Sequence, residues 1–117
     1  MKEVIAMIRP GRAKLTKQKL SDKGFASYTE ERVSGRGKQK GLQYSSGGSD
    51  SNGVQGISFL PKRMLTVVVN DEDVDQVVAV LVESNRTGEI GDGKIFICPV
   101  QDTIRIRTDE RRREALV

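Results

Sequence analysis

Histidine and tryptophan are absent from this chain, and cysteine occurs once, at Cys98. Without histidine there is no Ser–His or Cys–His nucleophile activation and no His-ligated metal, which argues against most hydrolases. A single cysteine excludes an internal disulfide and any multi-cysteine metal site. Three phenylalanines and two tyrosines are too few for a base-stacking platform, so an RNA-binding reading is set aside despite the net charge of +4. No apolar run approaches the ~20 residues that cross a bilayer; the longest is Val77–Val82. Met1-Lys2-Glu3-Val4 becomes charged at once, with no signal-peptide core, so the expectation is a cytoplasmic protein without membrane insertion.

What remains is 117 residues, 36% hydrophobic and 31% charged, a composition for one globular domain spanning 1–117. The modest positive charge suits small anions, phosphates or carboxylates, or an acidic protein partner. A domain this small has a limited core of its own, which predicts a homo-oligomer.

The chain reads as two similar halves around a loop. Met1–Ile8 is a β-rich run closed by Arg9-Pro10-Gly11. Arg12–Lys23 is predicted as a helix with a thin apolar face of Ala13, Thr16 and Leu20, from which Leu15 departs; Gly24 stops it. Phe25–Val33 alternates and predicts a half-exposed strand. Residues 35–58 hold seven of the twelve glycines and five serines. Such a stretch builds no core and reads either as a flexible connector or as a functional loop. Met64–Val69 is a buried strand by its β-branched run. Asn70-Asp71-Glu72-Asp73 supplies an N-cap and acids for a helix with Val74, Val77, Val78 and Leu81 at helical spacing. Lys94–Val100 and Thr103–Arg107 are short strand candidates, and Asp109–Leu116 a short terminal helix. Strand–helix–strand twice over predicts an α+β, ferredoxin-like (split βαβ) fold, with both helices on one face of an antiparallel sheet. A closed oligomer would cover the other face.

Three segments are rich in anion-holding groups. Gly35-Arg36-Gly37-Lys38-Gln39-Lys40-Gly41 interleaves glycines, whose amides converge without Cβ obstruction, with three cations; a solvated basic loop fits equally. Thr87-Gly88-Glu89-Ile90-Gly91-Asp92-Gly93-Lys94 ends in a lysine able to reach a phosphate, but lacks the spacing of a Walker loop; a tight helix-to-strand turn is the alternative. Arg105 and Arg107 stand two apart, on one face of the predicted strand. Two adjacent guanidiniums need an anion between them or carboxylate partners, unless they are a solvated edge.

Taken in order, GRGKQKG, FLPKR, RTGEIGDGKIF and IRIRT resemble the PII signal-transduction family, over a span from Met1 to about Glu110. The resemblance implies a compact ferredoxin-like trimer with ATP or ADP sites in the clefts between subunits. It further implies a long target-contacting T-loop (35–58), a B-loop (87–94) and a C-loop region (105–113). By position, Gly91, Asp92, Gly93 and Lys94 would cradle phosphates, Gly37 and Lys38 would face them, and Arg105 and Arg107 would reach across the interface. Thr29 and Val68 match positions near adenine and ribose. Gln39 matches the side chain that holds Mg²⁺ with 2-oxoglutarate, Lys40 and Gly41 follow it in that subsite, and Lys62 matches the lysine that binds a carboxylate of the keto acid.

The T-loop departs from the family pattern. Leu42–Gln55 reads LQYSSGGSDSNGVQ, longer than usual, and Tyr44 stands outside the Tyr-Arg-Gly-Ala-Glu-Tyr context of uridylylation. Thr66 replaces a common glutamate, and Asp109 a common glycine. The long altered loop with GRGKQKG resembles the NifI branch, whose members act on nitrogenase and commonly work as a complex of two related subunits. The resemblance therefore implies a regulator and not an enzyme, in a homotrimer or a mixed oligomer, with nitrogenase as first target. Glutamine synthetase or an ammonium channel are the alternatives. A weak ATPase is the reading of another class, with Asp92 and Glu89 as the acids near the phosphates.

Overall fold

A computed structural model describes residues 1–37 and 59–116. Its elements are β1 (Lys2–Ile8), α1 (Ala13–Asp22), β2 (Thr29–Gly35), β3 (Leu60–Val69), α2 (Val74–Asn85), β4 (Lys94–Pro99) and a terminal turn of helix, α3 (Arg113–Leu116). The four strands form one sheet in the order β2-β3-β1-β4, antiparallel throughout. Two βαβ halves that interleave in this order are the ferredoxin-like arrangement expected from the sequence.

Alternation decides which face of the sheet is covered. Val4, Ala6 and Ile8 of β1 and Leu65, Val67 and Val69 of β3 are buried against the helices. Helix α1 contributes Ala13, Thr16 and Leu20, the expected stripe, while Leu15 is 40% exposed. Helix α2 contributes Val77, Val80 and Leu81. Asn85 Nδ2 donates to Thr16 Oγ1 (3.0 Å) and to the Leu81 carbonyl (2.9 Å), tying the two helices with a buried polar contact. On the opposite face the register sets Ile5 beside Thr66 and Phe96, and Met7 beside Met64 and Lys94. No element among the described residues covers it, and Phe96 is 48% exposed.

Several expectations are corrected. The strand anticipated over Phe25–Val33 begins at Thr29, because Phe25 belongs to the end of α1. Gly24 adopts φ +93, its N–H bonds Ser21 O, and the Phe25 N–H bonds Leu20 O. This is a Schellman cap whose hydrophobic contact is Phe25 on the core. Helix α1 is shorter than Arg12–Lys23, since Pro10–Arg12 form a separate 3₁₀ turn. Asn70 makes no side-chain cap; Asp71–Asp73 form a 3₁₀ turn, and Asp71 pairs instead with the terminal amine and Lys2. Strand β3 begins at Leu60, ahead of the expected Met64, and takes in Pro61. There it pairs only with β2, so proline's missing donor costs no ladder bond on the β1 side.

The largest correction is at IRIRT. Thr103–Arg107 is not a strand; Ile104 makes an isolated bridge to Arg111, and the chain between them turns. Asp109 N donates to Arg105 O (2.7 Å) and Arg105 N to Glu110 O (2.9 Å). Asp109 and Arg112 take positive φ, +61 and +54, which breaks the expected Asp109–Leu116 helix and leaves only Arg113–Leu116.

Candidate functional site

The loop from Thr87 to Lys94 joins the end of α2 to the start of β4, where Lys94 pairs with Met7. It closes on itself through Asp92. That carboxylate accepts the Thr87 N–H (2.7 Å), the Gly88 N–H (2.9 Å) and the Thr87 hydroxyl, and pairs with Arg9 Nη1 at 2.7 Å. The Thr87 hydroxyl and the two amides, with the Arg9 guanidinium, hold the Asp92 carboxyl far below its ordinary range. Gly88, Gly91 and Gly93 all take positive φ. At Gly93 the need is also steric: a Cβ would lie 1.9 Å from the Met7 carbonyl oxygen, so the loop re-enters the sheet only with glycine there.

Below this loop, at the end of the uncovered sheet face, is a cavity of about 550 Å³. Gly91, Asp92, Gly93 and Lys94 form one wall. Gly35, Arg36 and Gly37, the exit of β2, form another, and Leu60 and Lys62 a third. The register partners Gly35↔Leu60 and Val33↔Lys62 bring the end of β2 and the start of β3 together at this cavity. Lys62 Nζ donates to the Gly91 carbonyl (2.8 Å). Burial, and then the nearby Arg9 charge, push the Lys62 ammonium below its usual range, against the pull of Asp92. An anion in the cavity would offset both effects. Gly35, Gly37, Gly91 and Gly93 and the cations Arg36, Lys62 and Lys94 all line this one cavity, a set of groups chemically suited to phosphate or carboxylate.

A second cavity, about 600 Å³, opens at the other end of the sheet beside Thr29, Thr66, Val68 and Arg105. Thr29 lies four residues from Val33 along β2, roughly 13 Å from the first site at strand rise. Arg105 is paired here: Nη1 meets Glu110 Oε1 at 3.2 Å, and Nη2 the carbonyls of Glu114 (3.4 Å) and Ala115 (3.5 Å).

The site residues expected from the sequence thus fall into two groups within one chain. Gly37, Lys62, Gly91, Asp92, Gly93 and Lys94 share the first cavity; Thr29, Val68 and Arg105 share the second; Arg107 lines neither. Lys38, Gln39, Lys40 and Gly41 lie outside the described residues, as does most of the expected T-loop. Among the described residues no cluster of three His, Cys, Asp or Glu side chains could hold a metal ion, and no helix is long and apolar enough to cross a membrane. Arg9 escaped the sequence reading altogether, because Arg9-Pro10-Gly11 reads as punctuation at a strand exit. The signal lay in the β1–β4 register, which sets the end of β1 against the start of β4.

The profile of the family described as "Nitrogen regulatory protein P-II" matches residues 1–110. The chain is 47% identical over 121 residues to the "Nitrogen fixation nifHD region GlnB-like protein 2" of Methanothermobacter marburgensis, covering 99% of this chain and 100% of the relative. It is 46% identical over 116 residues to the "Nitrogen regulatory protein P-II 2" of Methanothermobacter thermautotrophicus, covering 99% and 97%. Among solved structures, Arabidopsis thaliana PII bound to citrate superposes with a TM-score of 0.78 at 33% identity, covering 98% of this chain and 88% of that one. A full-length match of this kind, on a ferredoxin-like sheet whose glycine loop meets the end of β2 and the start of β3 at one cavity, settles the relationship: the chain belongs to the nitrogen regulatory P-II family, in its nitrogen-fixation (NifI-type) branch.

Proposed function

We propose that this protein senses ATP or ADP together with 2-oxoglutarate and controls nitrogenase through the 35–58 loop. The observation that carries the reading is the first cavity, where glycines and three cations line the space between the loop base and the Thr87–Lys94 loop. Those groups fit a polyphosphate: amides and ammonium groups are its usual partners. Gly91, Gly93, Lys94 and Gly37 would hold phosphates, with Lys38 beside them. Lys62, with Gln39, Lys40 and Gly41, would hold the keto acid. Gln39 would be the protein ligand of Mg²⁺, which would supply positive charge beside the phosphates and the keto acid.

The second cavity would supply the rest of the site from another copy. One chain holds the two groups of residues at opposite ends of the uncovered sheet face, so a closed trimer covering that face would bring Thr29, Val68, Arg105 and Arg107 of one copy to the phosphate loop of the next. A mixed oligomer with a related subunit would do the same.

Nitrogenase is the favoured target because the relatives are named for the nifHD region; glutamine synthetase and an ammonium channel are the alternatives. The weak-ATPase reading loses one of its two acids, since the Asp92 carboxylate already has three N–H and O–H donors and the Arg9 guanidinium on it; Glu89, which lines the first cavity, is the other.

The reading is tested by titrating 2-oxoglutarate into apo, ADP-loaded and Mg²⁺-ATP-loaded protein. Binding only in the last state is expected, and equal binding in all three would refute a metal-dependent site. Nitrogenase activity with added wild-type protein, or with protein lacking 42–55, assigns the target; loss of inhibition on deletion is expected.

A further inference from the structure

Arg9 leaves the end of β1 and reaches under the whole Thr87–Lys94 loop. Its Nη1 donates to Asp92 Oδ1 (2.7 Å) and to Thr87 Oγ1 (3.4 Å), and its Nη2 to the Ile90 carbonyl (2.8 Å). One guanidinium therefore touches the loop near its beginning, its middle and its end. The loop backbone closes on it: a Cβ on Gly91 would come within 3.2 Å of Nη2. The base of this strut is rigid, since Met7 and Ile8 just before it are fixed in the β1 ladders.

The electrostatics matter as much as the shape. Asp92 lines the cavity in which an anion would bind. A carboxylate there opposes a phosphate unless its charge is neutralised, and within a few ångströms that opposition is large. Arg9 is the cation in contact with it; their side chains are 32% and 25% exposed. The geometry points to Arg9 as the positioning residue of the anion site: it fixes the Thr87–Lys94 loop and cancels the Asp92 charge, so that the loop's amides and Lys94 present a net positive surface to the ligand. Arg9 acts through Asp92 and the loop and is not itself a phosphate ligand. The inference rests on the nucleotide reading above, because it assigns a role in that site.

The test compares wild type, Arg9→Gln, Asp92→Asn and the double variant, each titrated with ATP by calorimetry and with adenosine by ligand-detected NMR. Thermal melting is recorded for each. Arg9→Gln is expected to weaken ATP by about tenfold to a hundredfold, the range of a lost charge-assisted contact, while adenosine changes less than about twofold. Adding Asp92→Asn to Arg9→Gln should recover part of the lost ATP affinity, since it removes the uncompensated charge. Scaffold damage alone would weaken ATP and adenosine together and would not be relieved by the second substitution. Unchanged ATP affinity in Arg9→Gln, equal loss of both ligands, or a double variant no tighter than the single one would each overturn the assignment. If wild type binds no ATP, the failure is of the nucleotide reading and shows before any variant is compared.

Discussion

The two turns that carry Lys94 and Arg105 are held in different ways. The Thr87–Lys94 loop is tied to the rest of the molecule by Arg9 from the end of β1 and Lys62 from β3, and its left-handed positions are glycines. The Thr103–Arg112 turn is tied mainly to its own neighbours: Arg105 N bonds Glu110 O, Arg112 N bonds Thr103 O, and Arg105 pairs with Glu110. Its left-handed positions are Asp109 and Arg112, and Ile106 at its tip is 99% exposed. One turn is finished inside a single copy. The other presents an uncovered isoleucine between two arginines.

The sharpest way to break the first turn is through its glycines. Gly93→Ala would drive a Cβ to 1.9 Å from a strand carbonyl at φ +115, and neither backbone can yield without opening the β1–β4 ladder. A loss of about 3 kcal/mol or more is expected by chemical denaturation. Gly88→Ala is the control: φ is +86 but the space is open, so only the backbone cost of about 1–2 kcal/mol should appear. Equal losses would mean that the loop does not close against Met7.

Acid probes the first turn next. Asp92 is held well below its ordinary range, so its contribution is present above the unfolded carboxyl pKa and is lost only as pH falls through the much lower folded one. Amide exchange at Thr87 and Gly88 should therefore stay slow from neutral pH down to about pH 4. Glu30, lowered by its hydrogen bonds to Lys17 and Arg63, favours the fold in the same direction. Loss of Thr87 and Gly88 protection above pH 4 would contradict the Asp92 closure.

The smallest effect belongs to the second turn. Asp109→Gly relieves a left-handed residue at φ +61 and gives up only an exposed 3.8 Å contact with Arg111. A net gain of up to about 1 kcal/mol is expected, read as a raised melting temperature. A loss would show that Asp109 does more than fill the turn.

These residues also show what could be read from sequence. The stripe Ala13, Thr16 and Leu20, with Leu15 as outlier, was legible because helical period alone decides it, and the glycine-and-lysine loop was legible because its chemistry is contiguous. Phe25 misled because a C-cap hydrophobe followed by alternating residues imitates a strand. IRIRT misled likewise: alternation suggested a strand, whereas hydrogen bonds of Arg105 to Asp109 and Glu110, just beyond the motif, fold it into a turn with Asp109 left-handed. Arg9 and Asp92 lie 83 positions apart, and no local pattern joins them; only the register of β1 against β4 does. The split of the site residues was anticipated, by the resemblance, only for Arg105 and Arg107; that Thr29 and Val68 lie with Arg105 was not legible, since it depends on which ends of β2 and β3 they occupy.

In the proposed function the two cavities are halves of one nucleotide site, completed between copies. Lys94→Ala breaks one half and Arg105→Ala the other, each expected to weaken ATP by about 1.5–3 kcal/mol as a lost charge-assisted contact. The direct measurement is ATP titration of mixed oligomers made by co-expressing the two variants with different tags, against each variant alone. The account predicts that mixed oligomers regain a fraction of sites with wild-type affinity, where an intact Lys94 half meets an intact Arg105 half, while neither variant alone has any. Mixed oligomers with only weakened sites would contradict it, because a site contained within one chain cannot be restored by a neighbour.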